Sequence, residues 1–323
     1  MVSYTTVRNR DMERLSYEKI LQDLEQFLQL CSSIGLRVGR ERFTQYHCEI
    51  VALMDTIRTR SLSEKGEEQL DKYLMALMEG AEVSLLLPYL QQCDPIAVSP
   101  KIKDCLRGPF MPNDEDSNSN RARNIQFELF LASTLWRAGF QPALGEHPDL
   151  KCRVENTWFF FECKRLFSPS LQQLRRRIDE AAKQIRTNRS TAPSGTRGII
   201  AISLSRIFNP SQAARPTLNE QQGREELAMW LRDQANAVRD TWEHLSHKEI
   251  VGILFYAASG FDDFEIDRYT SGRVFLGISL AQEDSPDDIA VRKLAEAMEA
   301  RNIEGNPLGK MSIGVGSWPD VTG

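Results

Sequence analysis

Histidine is scarce and cysteine is scattered in this 323-residue chain: four histidines, and six cysteines at Cys31, Cys48, Cys93, Cys105, Cys152 and Cys163. No two cysteines form a Cys-x-x-Cys pair, so a zinc site is not expected. No apolar run approaches the roughly 18 residues a membrane span needs. The start, Met1-Val2-Ser3-Tyr4-Thr5, lacks the apolar stretch of a signal peptide. Cytoplasmic residence without a membrane contact is therefore the expectation, with the cysteines reduced and mostly buried. There is no internal repeat and no phosphate-binding glycine loop, because Gly314-Val315-Gly316 is not followed by a helical pattern. Basic residues are not in excess either. Lys and Arg total 40 against 45 for Asp and Glu, a net charge of −5. That excludes a protein coated in basic surface but leaves room for a local basic patch.

What the chain does have is length for about two domains and a change of character near its first third. Residues 1–110 read as a helical domain. Apolar residues recur at helical spacing from Glu13 to Ser32, and further helices are expected over Glu41 to Thr59 and Ser63 to Gly80. This part carries no recognisable chemistry. It could bind a target or a partner protein, support a homo-oligomer, or brace the neighbouring domain. Residues 111–120 are rich in turn formers and acids and read as a flexible linker. From residue 121 to 323 strands and helices alternate, so the expected class is α/β with a mixed central sheet. Buried strands are expected at Trp158 to Lys164, Arg197 to Leu204, Ile250 to Tyr256 and Arg273 to Ile278, with helices from about Ser170 to Asn188, Arg224 to Leu245 and Asp287 to Arg301.

The informative stretch runs from Asn124 to Lys164. Asp149 to Val154 alternates polar and apolar residues, the period of a half-buried strand. Trp158-Phe159-Phe160-Phe161-Glu162-Cys163-Lys164 is aromatic and apolar enough for a central strand. Glu155-Asn156 suits the turn between them. If those two residues make the turn, Val154 faces Thr157 and each further pair keeps the same sum, so Asp149 faces Glu162. The two carboxylates would then share one face with Cβ atoms about 5 Å apart, and Lys164 shares it too. Adjacent acids repel unless a cation lies between them, and hard oxygen ligands suit Mg²⁺ or Mn²⁺. On the preceding helix Glu128 falls within the apolar stripe of Ile125, Ala132, Leu135 and Trp136, a costly place for an unpaired acid. The same residues also fit a plain salt-bridged hairpin, with Glu162 paired to Lys164 and Asp149 to Lys151 or Arg153.

A helix with an inward Glu, then Pro148-Asp149, then Glu162-Cys163-Lys164, resembles the PD-(D/E)XK, or restriction-endonuclease-like, nuclease superfamily. The resemblance covers roughly residues 120–205. It implies that Asp149 and Glu162 hold a divalent metal, helped by the backbone carbonyl of Cys163 and by Glu128 directly or through a water. Lys164 would orient or activate the attacking water. Mg²⁺ or Mn²⁺ is the implied cofactor and nucleic acid the implied partner, DNA ahead of RNA. The alternatives are an RNA-directed nuclease and a nucleic-acid-binding module on an inactive scaffold. Between Lys164 and Arg189 there are eight basic and two acidic residues, a net of +6. Arg165, Arg175, Arg176, Arg177, Lys183, Arg186 and Arg189 are thus expected to follow a phosphate backbone, unless the basic face is merely solvated and paired internally. Gln184 matches a glutamine some members carry after this strand; the tyrosine that usually follows four residues later is Asn188 here.

Overall fold

The computed structural model describes residues 4–9, 16–59, 65–116, 119–154, 156–189, 192–210, 214–245, 249–263, 268–300 and 311–315, without the side chains of 4–9, 263, 268–270, 299–300 and 311–315. Strand β1 (Tyr4–Asn9) precedes helices α1 (Tyr17–Ser33), α2 (Arg42–Arg58), α3 (Glu67–Leu90), α4 (Pro95–Leu106) and α5 (Arg121–Arg137). Then come β2 (Ala143–Leu144), β3 (Leu150–Val154), β4 (Thr157–Arg165), α6 (Leu171–Arg189), β5 (Arg197–Ser203), α7 (Ser205–Phe208), β6 (Arg215–Thr217), α8 (Glu220–Ala237) and α9 (Arg239–Glu243). The chain continues through β7 (Ile250–Asp263), β8 (Arg268–Ser279), α10 (Pro286–Ala300) and β9 (Met311–Val315).

One mixed, open sheet runs in the order β2-β3-β4-β5-β7-β8-β1-β9, with β6 beside the end of β7. β4, β5 and β7 are parallel, and the remaining neighbours along the path are antiparallel. The chain is therefore α/β. β4 is central, as its aromatic content predicts, and α6 makes the crossover from β4 to β5. That helix buries Leu174, Ile178, Ala181, Ala182 and Ile185, a stripe at helical spacing laid on the sheet.

Alternation along β4 divides the molecule. Phe159, Phe161 and Cys163 face the helical layer and join a core that includes Phe27, Leu85 and Leu131. From the other face of the sheet, Ile200 and Ile202 of β5 meet α6 and α8. The first core runs without interruption from α1 through α5 to β4 and β7, so the helices of residues 1–110 are packed against the sheet domain. Their apolar stripes are used up there; Val51, Ile57 and Ile96 are the large apolar side chains of this segment that stay exposed among the described residues.

Several expectations are corrected. Residues 1–110 are not helical throughout, because β1 pairs with β8 and β9. The start expected at Ser63 lies outside the described residues. Gly80, read as a helix stop, sits inside α3: a Cβ there would stand 2.6 Å from Ile20 Cγ2, so glycine is what lets α1 and α3 approach. α3 is long and apolar enough to cross a membrane by length and composition, yet 83% of its apolar window is buried in the protein. The helix expected from Arg224 to Leu245 breaks at Val238.

Of the expected linker, residues 111–116 are packed against the fold. Pro112 and Glu115 are buried. Glu115 Oε1 accepts from Arg123 at 3.0 Å, while Oε2 accepts from Arg165 at 2.6 Å and Arg206 at 3.2 Å. One carboxylate thus ties α5, the end of β4 and α7 together. Removing it takes the acid partner from buried Arg165 and from Arg206, the costly way to break an ion pair, while Arg123 keeps Glu79 at 3.0 Å. Glu115→Gln is expected to destabilise the protein by about 3–5 kcal/mol in urea denaturation. Asp104→Asn, which loses a pair with the exposed Arg121, is expected to cost less than about 1 kcal/mol.

Candidate active site

The site is built by the register of the β3–β4 hairpin. Val154 pairs with Thr157 and Leu150 with Phe161. Asp149 is the residue before β3, so continuing the ladder sets it against Glu162; the turn residue Glu155 lies outside the described residues. Asp149 Oδ2 accepts a hydrogen bond from the Cys163 backbone N–H at 2.7 Å. Beyond the end of β3 that amide has no strand partner, and the carboxylate satisfies it. In a strand the N–H and C=O of one residue point to the same edge, so the Cys163 carbonyl shares the edge where Asp149 stands. Burial and the Asp149 and Glu128 carboxylates push the Cys163 thiol well above its usual range, which keeps it neutral and leaves the backbone as its contribution.

Glu162 is fully buried. Its Oε1 accepts from Asn188 Nδ2 of α6 at 2.8 Å. Its Oε2 lies 3.5 Å from Lys164 Nζ and makes no hydrogen bond. Burial first, then the neighbouring Asp149 charge, raises the Glu162 carboxyl to about 8 against the pull of Lys164. Glu128 of α5 is raised to about 7 by burial and by Asp149, against the pull of Lys101 and Lys164. It pairs directly with Lys101 Nζ of α4. The sequence reading left Glu128 without a structural partner; Lys101 is that partner.

Asp149, Cys163, Lys164 and Glu128 open on a groove of about 1000 Å³ that Lys101, Asn124, Arg177, Lys183 and Gln184 also line. Buried Asn124 Oδ1 and Gln184 Oε1 make no hydrogen bond. The sequence reading missed Lys101, Asn124 and Asn188. Asn188 was within reach, since it follows Gln184 by four residues and so shares its face of α6.

The residues of the expected basic track differ in their placement. Arg165 is buried and held by Glu115. Arg175 pairs with Asp240, Arg186 and Arg189 with Glu249, and Arg176 with Glu180. Arg177, although also paired with Glu180, lines the groove together with Lys183. Of the expected phosphate contacts on α6, these two are the ones the fold turns toward the carboxylates.

The chain matches no protein-family model, no curated protein and no solved structure. Among the described residues no three His, Cys, Asp or Glu side chains gather as a metal cage. The donor set is instead two carboxylates and a backbone carbonyl. Mg²⁺ is commonly held by one or two carboxylates while it keeps waters and meets phosphate oxygens. An orphaned carboxylate oxygen at Glu162 and its repulsion with Asp149 fit such a cation.

The two raised carboxyls set a pH dependence. Folded Glu128 and Glu162 retain protons, to about 7 and about 8, that the unfolded chain releases near 4.5. The folded state binds more protons in that window, so the contribution is fully present below 4.5 and is lost as pH rises through 7 and 8. In chelator-treated protein, the urea midpoint of wild type relative to Glu162→Gln is expected to fall across this window. Parallel pH profiles for the two proteins would refute the assignment.

Proposed function

We propose that the protein is a metal-dependent nuclease that hydrolyses phosphodiester bonds, DNA ahead of RNA, on a core like that of the PD-(D/E)XK enzymes. The observation that carries this reading is the convergence of Asp149, Glu162 and Lys164 on one face of the β3–β4 hairpin, beside a groove large enough for a nucleic-acid strand. Asp149, Glu162 and the Cys163 carbonyl would hold Mg²⁺ or Mn²⁺, with Glu128 at the rim. When bound, the ion would make a water acidic enough to attack and offset charge on the phosphate.

The remaining roles fall to the chain itself. Lys164 sits on the strand, its ammonium fixed by Glu162, where it can hold a water in line and meet the charge that develops on the phosphate. Asn188 fixes the rotamer of Glu162 by binding Oε1; Oε2, which makes no hydrogen bond and lies 3.5 Å from Lys164 Nζ, is the oxygen that would meet the ion beside that lysine. Arg177 and Lys183 offer charge to flanking phosphates without reading bases. A second reading, a binding module on an inactive scaffold, has one observation in its favour: Glu128 and Glu162 already have lysine partners.

Cleavage of plasmid, single-stranded DNA and RNA with Mg²⁺ or Mn²⁺ separates the readings. Asp149→Asn and Lys164→Ala are expected to lower the rate by about 10²–10⁴-fold. Lys183→Ala should weaken binding across all sequences and reduce the salt slope by about 1. Salt-dependent binding by a wild type that cleaves none of the substrates would establish the binding module instead.

A further inference from the structure

Besides Lys164 and Lys183 the groove contains a third lysine, which no part of the hydrolytic scheme requires. Lys101 and Glu128 pair across the α4–α5 contact, with side chains 14% and 7% exposed. Lys101 is not on a mobile tip. Its helix is capped by Asp94, whose side chain accepts from the Ile96 N–H at 3.0 Å, and starts on Pro95. Val98, Ile102, Cys105 and Leu106 anchor α4 in the core. The lysine is therefore presented to the groove by a rigid element.

We infer that Lys101 is a built-in second cation, so that the site takes one divalent ion and not two. The inference rests on the nuclease reading. With every acid ionised, Asp149, Glu162 and Glu128 carry −3, and Lys101 and Lys164 carry +2, leaving −1. One divalent ion brings the set to +1, which the single negative charge of a phosphodiester neutralises. Two ions would bring it to +3 and leave a surplus of +2 after substrate binds, among groups of which Glu162 and Glu128 are buried and Asp149, Lys101 and Lys164 half-buried. Like charges confined in a low-dielectric space repel strongly, so the single-ion count is favoured. A second ion at Glu128 would also have to displace the Lys101 ammonium and forfeit its pair with a buried carboxylate. Lys101 thus does at Glu128 what a second metal does in two-ion sites, where a cation on each side of the phosphate stabilises attacking and leaving oxygens. Residues 95–106 thereby gain a positioning role: the helical layer is part of the site.

The test is the number of Mn²⁺ ions bound per full-length chain, by calorimetric titration with electron paramagnetic resonance of the free ion. Wild type is expected to bind one. Lys101→Met, which frees Glu128, is expected to bind two, Lys101→Arg one, and the double variant Lys101→Met with Glu128→Gln one. Glu128→Gln alone should still bind one, and Lys101→Gln, also expected to bind two, carries the test if Lys101→Met fails to fold. Two ions in wild type, one in folded Lys101→Met or Lys101→Gln, or none in Glu128→Gln would overturn the assignment. No Mn²⁺ bound by wild type would instead refute the metal centre itself, and this inference with it.

Discussion

Two carboxylates held side by side against their mutual repulsion are the constraint on which the site depends. Asp149 cannot retreat from Glu162, because its Oδ2 caps the Cys163 amide at 2.7 Å and the hairpin register fixes which residue lies opposite. Glu162 cannot retreat either, since it stands on the central strand with Asn188 on one oxygen. A strand slipped by one residue would turn the whole face over, and the buried aromatic residues of β4 prevent that slip. The packing of Phe159 and Phe161 in the core is thus what holds the acids together.

Such an arrangement costs stability, and the surroundings show where it is offset. At the end of β4, Glu115 gathers Arg123, Arg165 and Arg206. It fixes the backbone immediately after Lys164 from the opposite face of the sheet. At the groove, lysines from α4 and β4 face the acids. The helical layer therefore serves both as the other half of the core and as the source of one of the site's charges.

Much of this was legible in the sequence, for a physical reason. Strand alternation is discrete, so two turn residues suffice to pair Asp149 with Glu162, and a run of aromatics can hardly be an edge. Glu128 stood out because an acid had no business in its apolar stripe. What was not legible depended on distant partners. Glu115 sits among turn formers and acids and reads as linker, but its arginines come from positions 123, 165 and 206. Arg175, Arg186 and Arg189 read as a phosphate track because their acids, Asp240 and Glu249, are more than fifty residues away. Lys101 was hidden because Pro95 and Pro100 disguise its helix: the first is an ordinary start, the second an interior proline that propensity discourages. Gly80 misled in the opposite sense, since close helix packing rather than a helix end requires it.

The central claim is that Asp149 and Glu162 together form a cation site. An anomalous-scattering map from crystals soaked in Mn²⁺ tests it most directly. The account predicts a peak about 2–2.6 Å from a carboxylate oxygen of each residue, on the β3–β4 edge that carries the Cys163 carbonyl. A map with no peak there, or with the two carboxyl groups on opposite faces of the sheet, would contradict it.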